Sequence, residues 1–261
     1  MSMTPIHDTQ KMQDYRQIDI NKVGVKGVKY PITVLDKTNG VQHTTGSFNI
    51  YVGLPHQFKG THMSRFVEVI NTYHKKIGIN IFPTILGEIR EHLEAEFAHL
   101  EITFDYFIEK EAPVSRAKSI MIYECTFIGS QTVDEMDFQV MIKVPVTSLC
   151  PCSKAISENG AHNQRSLVTV NFSFDKFVWI EDMIRTIESA SSCEVYPLLK
   201  RPDEKYVTEK AYNNPMFVED MVRDLFQRLQ SDKNITWFTI EAENMESIHN
   251  HSAYAYVEKY R

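Results

Sequence analysis

The spacing of apolar residues along the first half of the chain predicts three pairs of secondary-structure elements. Segments rich in Val, Ile, Thr and Tyr are typical of strands, and the turn-forming residues at 36–40 place a hairpin between the first two. Apolar residues then recur at helical spacing, and Pro83 marks the start of the second helix. The predicted elements are strands at 17–35 and 41–53, helices at 66–73 and 85–97, and strands at 101–108 and 117–129.

The second half of the chain repeats this order of elements. Strands are predicted at 138–146 and 167–174, helices at 180–187 and 214–229, and strands at 235–242 and 253–260. Asn214 is expected to cap the second of these helices, with Pro215 as its first residue. A β-β-α-α-β-β order that occurs twice predicts an α+β protein with two tandem modules, at 15–130 and 131–261, after a polar tail at 1–14. A single α+β domain with two helical layers is the alternative.

Composition and charge narrow the class of protein. Of the 261 residues, 43% are hydrophobic and 24% are charged, which is typical of a globular protein. The net charge of −6 argues against a nucleic-acid coat protein or a binder of anionic membranes, since both are usually basic. No apolar run reaches the roughly 18 residues that a transmembrane helix needs. The first residues lack the charged and apolar regions of a signal peptide, so we expect a cytoplasmic protein with free thiols.

Two of the four cysteines lie in the segment that is richest in reactive side chains. Cys150 and Cys152 flank a proline after a predicted strand, and His162 follows ten residues after the second thiol. In an extended chain, residues two apart lie about 6.5 Å from each other. Two thiolates on one tetrahedral ion must come closer than that, so one cysteine as a metal ligand and the other as a catalytic thiol is the easier arrangement. The alternative is that both are small buried residues at a strand end.

Further candidate groups lie in three other places. The segment 200–205 is predicted to be a loop with two carboxylates and strong positive charge, and the segment 246–251 joins the last two strands. Such groups are usually only solvated, but Cys, His and Glu side chains together are consistent with a catalytic divalent-metal site that keeps an open position for water. Glu219 stands one turn into the last predicted helix, where a carboxylate often serves the helix dipole alone.

These motifs together resemble the prokaryotic type IB GTP cyclohydrolases of the tunnelling-fold superfamily. The most specific are Ser148-Leu-Cys-Pro-Cys-Ser153 and Gly160-Ala-His-Asn-Gln-Arg-Ser166, and matches at 58–66, 200–205 and 246–251 extend the resemblance over nearly the whole chain. The resemblance implies two tunnelling-fold modules per subunit and a homotetrameric barrel with active sites where subunits meet. It also implies conversion of GTP and water to 7,8-dihydroneopterin triphosphate and formate, the entry to folate and deazaguanine biosynthesis.

The resemblance also implies roles for the metal-binding, catalytic and guanine-binding residues. Cys150 would be the metal thiolate, and His162 and Glu204 would be its partners in or near the shell of a manganese, iron or zinc ion. Cys152 would be the catalytic thiol. Glu219 would accept hydrogen bonds from the two adjacent N–H donors of guanine.

The rest of the pocket would come from the last loop and from basic side chains. Glu246, His249 and His251 would complete the pocket. His162 or His249 would be the acid that protonates N7 of the purine. The candidates for holding the triphosphate are Lys59, Arg65, Lys154, Arg165, Lys200, Arg201 and Lys205.

Two other functions are alternatives to GTP cyclohydrolase activity. A nitrile reductase of the same superfamily would use a cysteine nucleophile and NADPH on a deazapurine, but its Glu-Ser-Lys-Ser-type cofactor motif has no counterpart here. A non-catalytic protein that binds a metal or a purine would keep the pocket without turnover. Neither nucleic acid nor a membrane is expected as a partner of the chain.

Overall fold

The computed structural model describes residues 9–260, which form two compact units. The first unit comprises residues 9–104 and 126–138, and the second comprises residues 105–125 and 139–260. Both are built from antiparallel strands and helices, so the predicted α+β class is confirmed. None of the helices in this part of the chain is long and apolar enough to cross a membrane.

The first unit follows the predicted order of two strands, two helices and two strands. Its elements are β1 (Ile20–Asp36), β2 (Gly40–Leu54), α1 (Met63–Tyr73), α2 (Phe82–Leu93), and the parts of β3 (Ala98–Glu111) and β4 (Lys118–Gln131) that lie in this unit. The predicted turn between β1 and β2 is confirmed, because the Asp36 carboxylate accepts hydrogen bonds from the backbone N–H groups of Thr38 and Asn39 at 2.8 and 2.7 Å. Gly40 closes the turn with a φ of 81°.

The core of the first unit lies between one face of the sheet and the two helices. Alternate residues of β2 and β3 are buried, as the period of a half-buried strand requires. Phe82 of α2 is fully buried and meets the ring of Phe127 edge-on, with 6.2 Å between the centroids. A Cβ atom on Gly129 would lie 2.6 Å from the Phe82 ring, so this close approach requires glycine.

The second unit has more helices than the sequence analysis predicts. Its elements are the remainder of β3 and β4, most of β5 (Met136–Leu149), α3 (Pro151–Ile156), β6 (Asn163–Phe174), α4 (Ile180–Ser189), β7 (Cys193–Glu194), α5 (Arg201–Asn213), α6 (Val218–Ser231), β8 (Ile235–Asn244) and β9 (Ala253–Lys259). Strands β5, β6, β8 and β9 are antiparallel neighbours in that order, and β7 pairs with the end of β5. The apolar stripes of α4 and α6 are buried, as their periodicity predicts.

Three predictions about the second unit are wrong. The segment 200–205 is not a loop, because α5 begins at Arg201; only Asp203 and Ala211 of this helix are buried, so it has no apolar stripe to reveal it. Short α3 and two-residue β7 are also absent from the predicted order. Finally, Asn214 does not cap α6, which begins at Val218, since the Asn214 side chain donates to the carbonyl of Ser191 and the next residues hydrogen-bond to the end of β5.

A partly buried ionic cluster connects β7 to α5. The Glu194 carboxylate accepts hydrogen bonds from the Lys210 ammonium and from the Tyr196 hydroxyl, the latter at 2.6 Å. Burial opposes ionisation of Glu194, but these two donors outweigh it and lower its pKa to about 2. Burial, reinforced by the Glu194 charge, raises the pKa of the neighbouring Cys193 thiol to about 12. At neutral pH the cluster therefore contains an ionised Glu194 carboxylate beside a protonated Cys193 thiol.

This pKa predicts how stability depends on pH. Because the pKa of Glu194 is lower in the folded chain than its ordinary value of 4.5, its contribution is present above about pH 4.5 and is lost as the pH falls towards 2. We expect Glu194→Gln to reduce the free energy of unfolding at neutral pH by about 2 kcal/mol, and the difference from wild type to shrink below pH 4.

Urea unfolding at several pH values measures this effect. Glu209→Gln is the matched control, because Glu209 pairs with Lys205 at 3.8 Å on the exposed side of the same helix, and this exposed pair should contribute little. A Glu194→Gln variant that lost stability on acidification as steeply as wild type would contradict the assignment.

Candidate functional site

The Cys-Pro-Cys segment begins where β5 ends. Cys150 still has an extended backbone, with φ −69° and ψ 118°, and caps the N-terminus of α3. Pro151 is the first residue of that helix, a position where its fixed φ and missing N–H cost nothing. Cys152 is therefore helical and exposed. The extended geometry that the sequence analysis uses for both cysteines is wrong for Cys152.

The backbones of Cys150 and His162 are hydrogen-bonded to each other. The Cys150 N–H donates to the His162 carbonyl at 3.1 Å. The Ser153 hydroxyl links the two residues a second time, since it donates to the Cys150 carbonyl and accepts from the His162 N–H, both at 3.2 Å. Gly160, with a φ of 97°, lies in the turn that returns the chain from α3 to β6. The thiol and the imidazole therefore belong to one tightly connected corner of the second unit.

The loop between β8 and β9 approaches this corner. The Met245 N–H donates to the Arg165 carbonyl at 2.9 Å, and the Ser247 hydroxyl oxygen lies 3.4 Å from Nδ1 of His162. This loop also carries Glu246, which is half-buried, and the exposed residues His249 and His251. The rings of the two histidines are stacked, with centroids 5.0 Å apart. The structure thus brings the predicted 246–251 motif to His162.

The start of α6 is also joined to the end of β5. The Met216 N–H donates to the Leu149 carbonyl at 3.0 Å, and the Ser148 hydroxyl donates to the Met216 carbonyl at 2.9 Å. Glu219 follows in the first turn of α6 and is exposed. The neighbouring Asp220, not Glu219, accepts from the backbone N–H of Phe217 at 3.0 Å. Among the side chains that the structure describes, Glu219 has no hydrogen-bond or ion-pair partner, so its carboxylate is available to a ligand.

Beneath these segments lies a buried group of polar side chains whose role the sequence alone does not predict. Its members are Ser148 of β5, Gln164 and Ser166 of β6, and Asn244 of β8, and all four are at most 7% exposed. Ser148 lies opposite Gln164 in the strand register, and Ser166 lies opposite Asn244. The signal in the sequence is that polar residues take the core-facing positions of three strands whose other core-facing positions are apolar. We call this group the polar core end.

Within the described residues, Glu204 is not placed to complete a three-ligand metal site with Cys150 and His162. It lies exposed in the first turn of α5, whereas that helix contacts the end of β5 through Ala211, which packs against Leu149. Seven residues separate Glu204 from Ala211, or about 10 Å along a helix. In the described part of the chain, no three His, Cys, Asp or Glu side chains are placed to hold a metal ion together.

The basic candidates fall into two groups. Lys154 and Arg65 have partners within the protein: the Lys154 ammonium lies 4.2 Å from the centroid of the Tyr212 ring, and Arg65 donates to the His92 carbonyl at 2.7 Å. Arg165 is exposed at the start of β6, and its guanidinium has no partner among the described residues. The other candidates of the second unit are the exposed residues Lys200, Arg201 and Lys205, all at the start of α5, and of these Lys205 pairs with Glu209 at 3.8 Å. Lys59 belongs to the first unit and is exposed.

Comparison with solved structures identifies a related fold. The chain is similar to the uricase of Bacillus fastidious, with a TM-score of 0.55, 7% sequence identity and 92% of each chain covered. It is similar to the uricase of Arthrobacter globiformis with a TM-score of 0.50, 8% identity and 92% of each chain covered. At such low identity the similarity concerns the fold alone.

Comparison with protein sequences is far more specific. The GTP cyclohydrolase FolE2 of Syntrophus aciditrophicus is 61% identical over 252 residues, which cover 97% of this chain and 99% of the relative. That of Methylobacillus flagellatus is 57% identical over 258 residues, covering 99% of this chain and 97% of the relative. The family model described as type I GTP cyclohydrolase folE2 matches residues 6–255. This chain therefore belongs to the type I GTP cyclohydrolase FolE2 family.

Proposed function

We propose that this chain converts GTP and water to 7,8-dihydroneopterin triphosphate and formate. The observation that carries the proposal is the convergence of three segments on the end of β5: the Cys150–His162 corner, the 246–251 loop and the start of α6 with Glu219. Because the chain belongs to a family of GTP cyclohydrolases, we assign the residues of all three segments to this one reaction. We also propose tandem tunnelling-fold modules, a homotetramer and a cytoplasmic location, and the uricase-like fold supports the first of these.

A divalent manganese, iron or zinc ion is part of this proposal. The contacts of Cys150 and His162 support their role as ligands, because a sulfur and a nitrogen donor lie in one hydrogen-bonded corner. Nδ1 of His162 lies 3.0 Å from Oε1 of Gln164, the kind of outer contact that ligand histidines usually make. The placement of Glu204 does not support its role as the third ligand. When bound, such an ion lowers the pKa of a coordinated water molecule.

The substrate can be held by side chains at the edge of this corner. The free carboxylate of Glu219 can accept hydrogen bonds from N1–H and the N2 amino group of guanine at once. Arg165, Lys200, Arg201 and Lys205 are exposed on the same unit and supply positive charge for the triphosphate. His251 is assigned to the substrate pocket as well, because its ring stacks on that of His249 in the same exposed loop.

Ring opening requires attack of water on C8 and transfer of a proton to N7. An imidazole suits this transfer because it titrates near neutral pH; His162 and His249 are the two candidates, and His249 is the one that remains when His162 is a metal ligand. Glu246 lies half-buried in the same loop as His249 and is assigned to orient the attacking water or the substrate. Cys152 presents an exposed thiol one helical position beyond Pro151, where it can reach a bound purine.

The catalytic role of Cys152 gives the direct test of function. Purified protein incubated with GTP and Mn²⁺ should release formate and a fluorescent pterin in equal amounts. Cys152→Ala should lower the rate at least about 100-fold, the usual contribution of a proton-transferring or nucleophilic group. Ser157→Ala, at the exposed end of the same helix, is the matched control and should retain the rate. Wild-type protein that released no formate would refute the proposed function, and an active Cys152→Ala variant would remove only the thiol from the mechanism.

The role of Cys150 predicts a change in metal content. Cys150→Ala removes the proposed sulfur ligand, so the purified variant should contain far less bound manganese, iron or zinc than wild type. Elemental analysis after exhaustive dialysis measures the metal content directly. Cys152→Ala is the control for loss of a thiol, and it should keep the wild-type content. Full occupancy in the Cys150→Ala variant would show that this thiol is not a ligand.

The role of Glu219 predicts weaker binding of the guanine ring. Glu219→Gln keeps the size of the side chain but leaves one of the two guanine N–H donors without an acceptor, at a cost of about 1–3 kcal/mol. We expect the loss in kcat/KM for GTP measured by steady-state kinetics. Asp224→Asn, on the same helix, should leave the kinetics unchanged. Wild-type kinetics in the Glu219→Gln variant would leave this carboxylate with only a favourable interaction with the helix dipole.

A further inference from the structure

We propose that Gln164 is a positioning residue that fixes the tautomer of His162. In this tautomer the proton lies on Nδ1, and Nε2 keeps a lone pair for the site. The tautomer follows from hydrogen-bond directions inside the polar core end, and only the use of the lone pair as a metal ligand rests on the proposed function. Gln164 itself touches neither the substrate nor the reacting atoms in this account.

The direction of the hydrogen-bond chain is set at the Met216 carbonyl. A backbone carbonyl can only accept, and the Ser148 hydroxyl oxygen lies 2.9 Å from the Met216 carbonyl oxygen. The Ser148 hydroxyl must therefore donate its single proton to the Met216 carbonyl. Ser148 is 1% exposed, so bulk water cannot offer it another partner. Towards every other neighbour, the Ser148 oxygen is an acceptor.

This requirement orients the side-chain amide of Gln164. The Ser148 oxygen accepts from Nε2 of Gln164 at 3.4 Å and from Nδ2 of Asn244 at 3.3 Å. With its nitrogen turned towards Ser148, Gln164 presents its oxygen to His162. The reverse orientation would turn the amide nitrogen towards His162 and place two acceptor oxygens, those of Gln164 and Ser148, face to face in a buried site, which is costly. Asn244 is oriented in the same sense, because its own oxygen accepts from the Ser166 hydroxyl at 2.6 Å.

The hydrogen bond between Gln164 and His162 determines the tautomer of His162. Oε1 of Gln164 lies 3.0 Å from Nδ1 of His162, and an amide oxygen can only accept, so Nδ1 must carry a proton. A neutral imidazole has one ring proton, and Nε2 is therefore left with its lone pair. The hydroxyl oxygen of Ser247, at 3.4 Å, can serve as a second acceptor for the same N–H. The Met216 carbonyl thus determines, through Ser148 and Gln164, which ring nitrogen of His162 carries the proton.

The origin of the chain links two parts of the site. Met216 lies three residues before Glu219, so the carbonyl that sets the tautomer belongs to the segment that places the proposed guanine ligand. The same Met216 residue donates its N–H to Leu149, next to Cys150. The orientation of His162 and the position of Glu219 are therefore set by one pair of hydrogen bonds at Met216, one from its N–H to the Leu149 carbonyl and one to its carbonyl from the Ser148 hydroxyl.

Nuclear magnetic resonance tests the tautomer without any activity. Long-range proton–nitrogen correlation spectra of the full-length, metal-free protein, labelled with ¹⁵N-histidine and measured at about pH 8, where an ordinary imidazole is neutral, report which ring nitrogen carries the proton. A His162→Gln variant assigns the signals of His162. We expect the Nδ1–H form in wild type. A dominant Nε2–H form in wild type would overturn the proposal without recourse to any further variant.

Two variants and one control test the role of the hydrogen-bond chain. Gln164→Leu removes the acceptor, and Ser148→Ala removes the group that orients Gln164, so both should shift His162 towards the Nε2–H form. Ser166→Ala removes a buried hydroxyl of the same group without altering the Ser148–Gln164 contact, so it should keep the wild-type tautomer. Thermal unfolding of each variant reports whether it is folded. A wild-type tautomer in folded Gln164→Leu would overturn the proposal.

Metal affinity supplies a second readout. If Nε2 is a ligand, Gln164→Leu should weaken Mn²⁺ binding about 10- to 100-fold in a titration, the usual effect of losing an outer partner of a ligand histidine. Ser166→Ala should bind Mn²⁺ like wild type. Unchanged affinity together with a shifted tautomer would refute the use of His162 as a ligand through Nε2. Absence of GTP turnover in wild type would refute the proposed function and leave the tautomer result in place.

Discussion

The buried hydroxyl of Ser148 is the contact on which the candidate site depends. It stands at the last core-facing position of β5, donates to the Met216 carbonyl and accepts from both Gln164 and Asn244. These partners belong to the segment before α6, to β6 and to β8. Because the next residues of the chain are Leu149 and Cys150, a single strand end holds together the Cys150–His162 corner, the 246–251 loop and the start of α6.

This arrangement is costly unless it is complete. Each buried polar group without a partner costs about 1–3 kcal/mol, so an open end of this network would destabilise the core where the site is built. The network is closed because hydroxyl, amide and carbonyl groups alternate as donor and acceptor from Ser166 to His162. A network of this kind favours one arrangement of its members over others. We infer that the polar core end fixes the geometry of a site whose outer residues are mostly exposed.

The sequence predicts the regular parts of this fold because they obey simple periods. Helices α1, α2 and α4 and every long strand follow apolar spacing, whereas α5 escapes detection because it buries only Asp203 and Ala211. The start of α6 is displaced from Asn214 to Val218, since tertiary hydrogen bonds to Ser148 and Leu149 outweigh the local signals of a cap and a proline.

The residues of the candidate site also differ in how well the sequence predicts them. Cys150, His162 and the 246–251 motif are conspicuous by residue type, and the structure brings them together. Gln164 and Ser148 lie within the two most specific motifs, but the sequence assigns them no role, and their core-facing register shows that they are buried together. The placement of Glu204 depends on where α5 contacts β5, which no local pattern encodes.

Hydrogen exchange of two backbone amides tests the central claim most directly. The Met216 N–H is bonded to Leu149, and the Cys150 N–H is bonded to His162, so both should be protected in the native protein. If the Ser148 hydroxyl holds these segments together, Ser148→Ala should accelerate exchange at both amides by a similar factor, while amides in the centre of β6 keep their protection. Wild-type protection of Met216 and Cys150 in a folded Ser148→Ala protein would contradict the account.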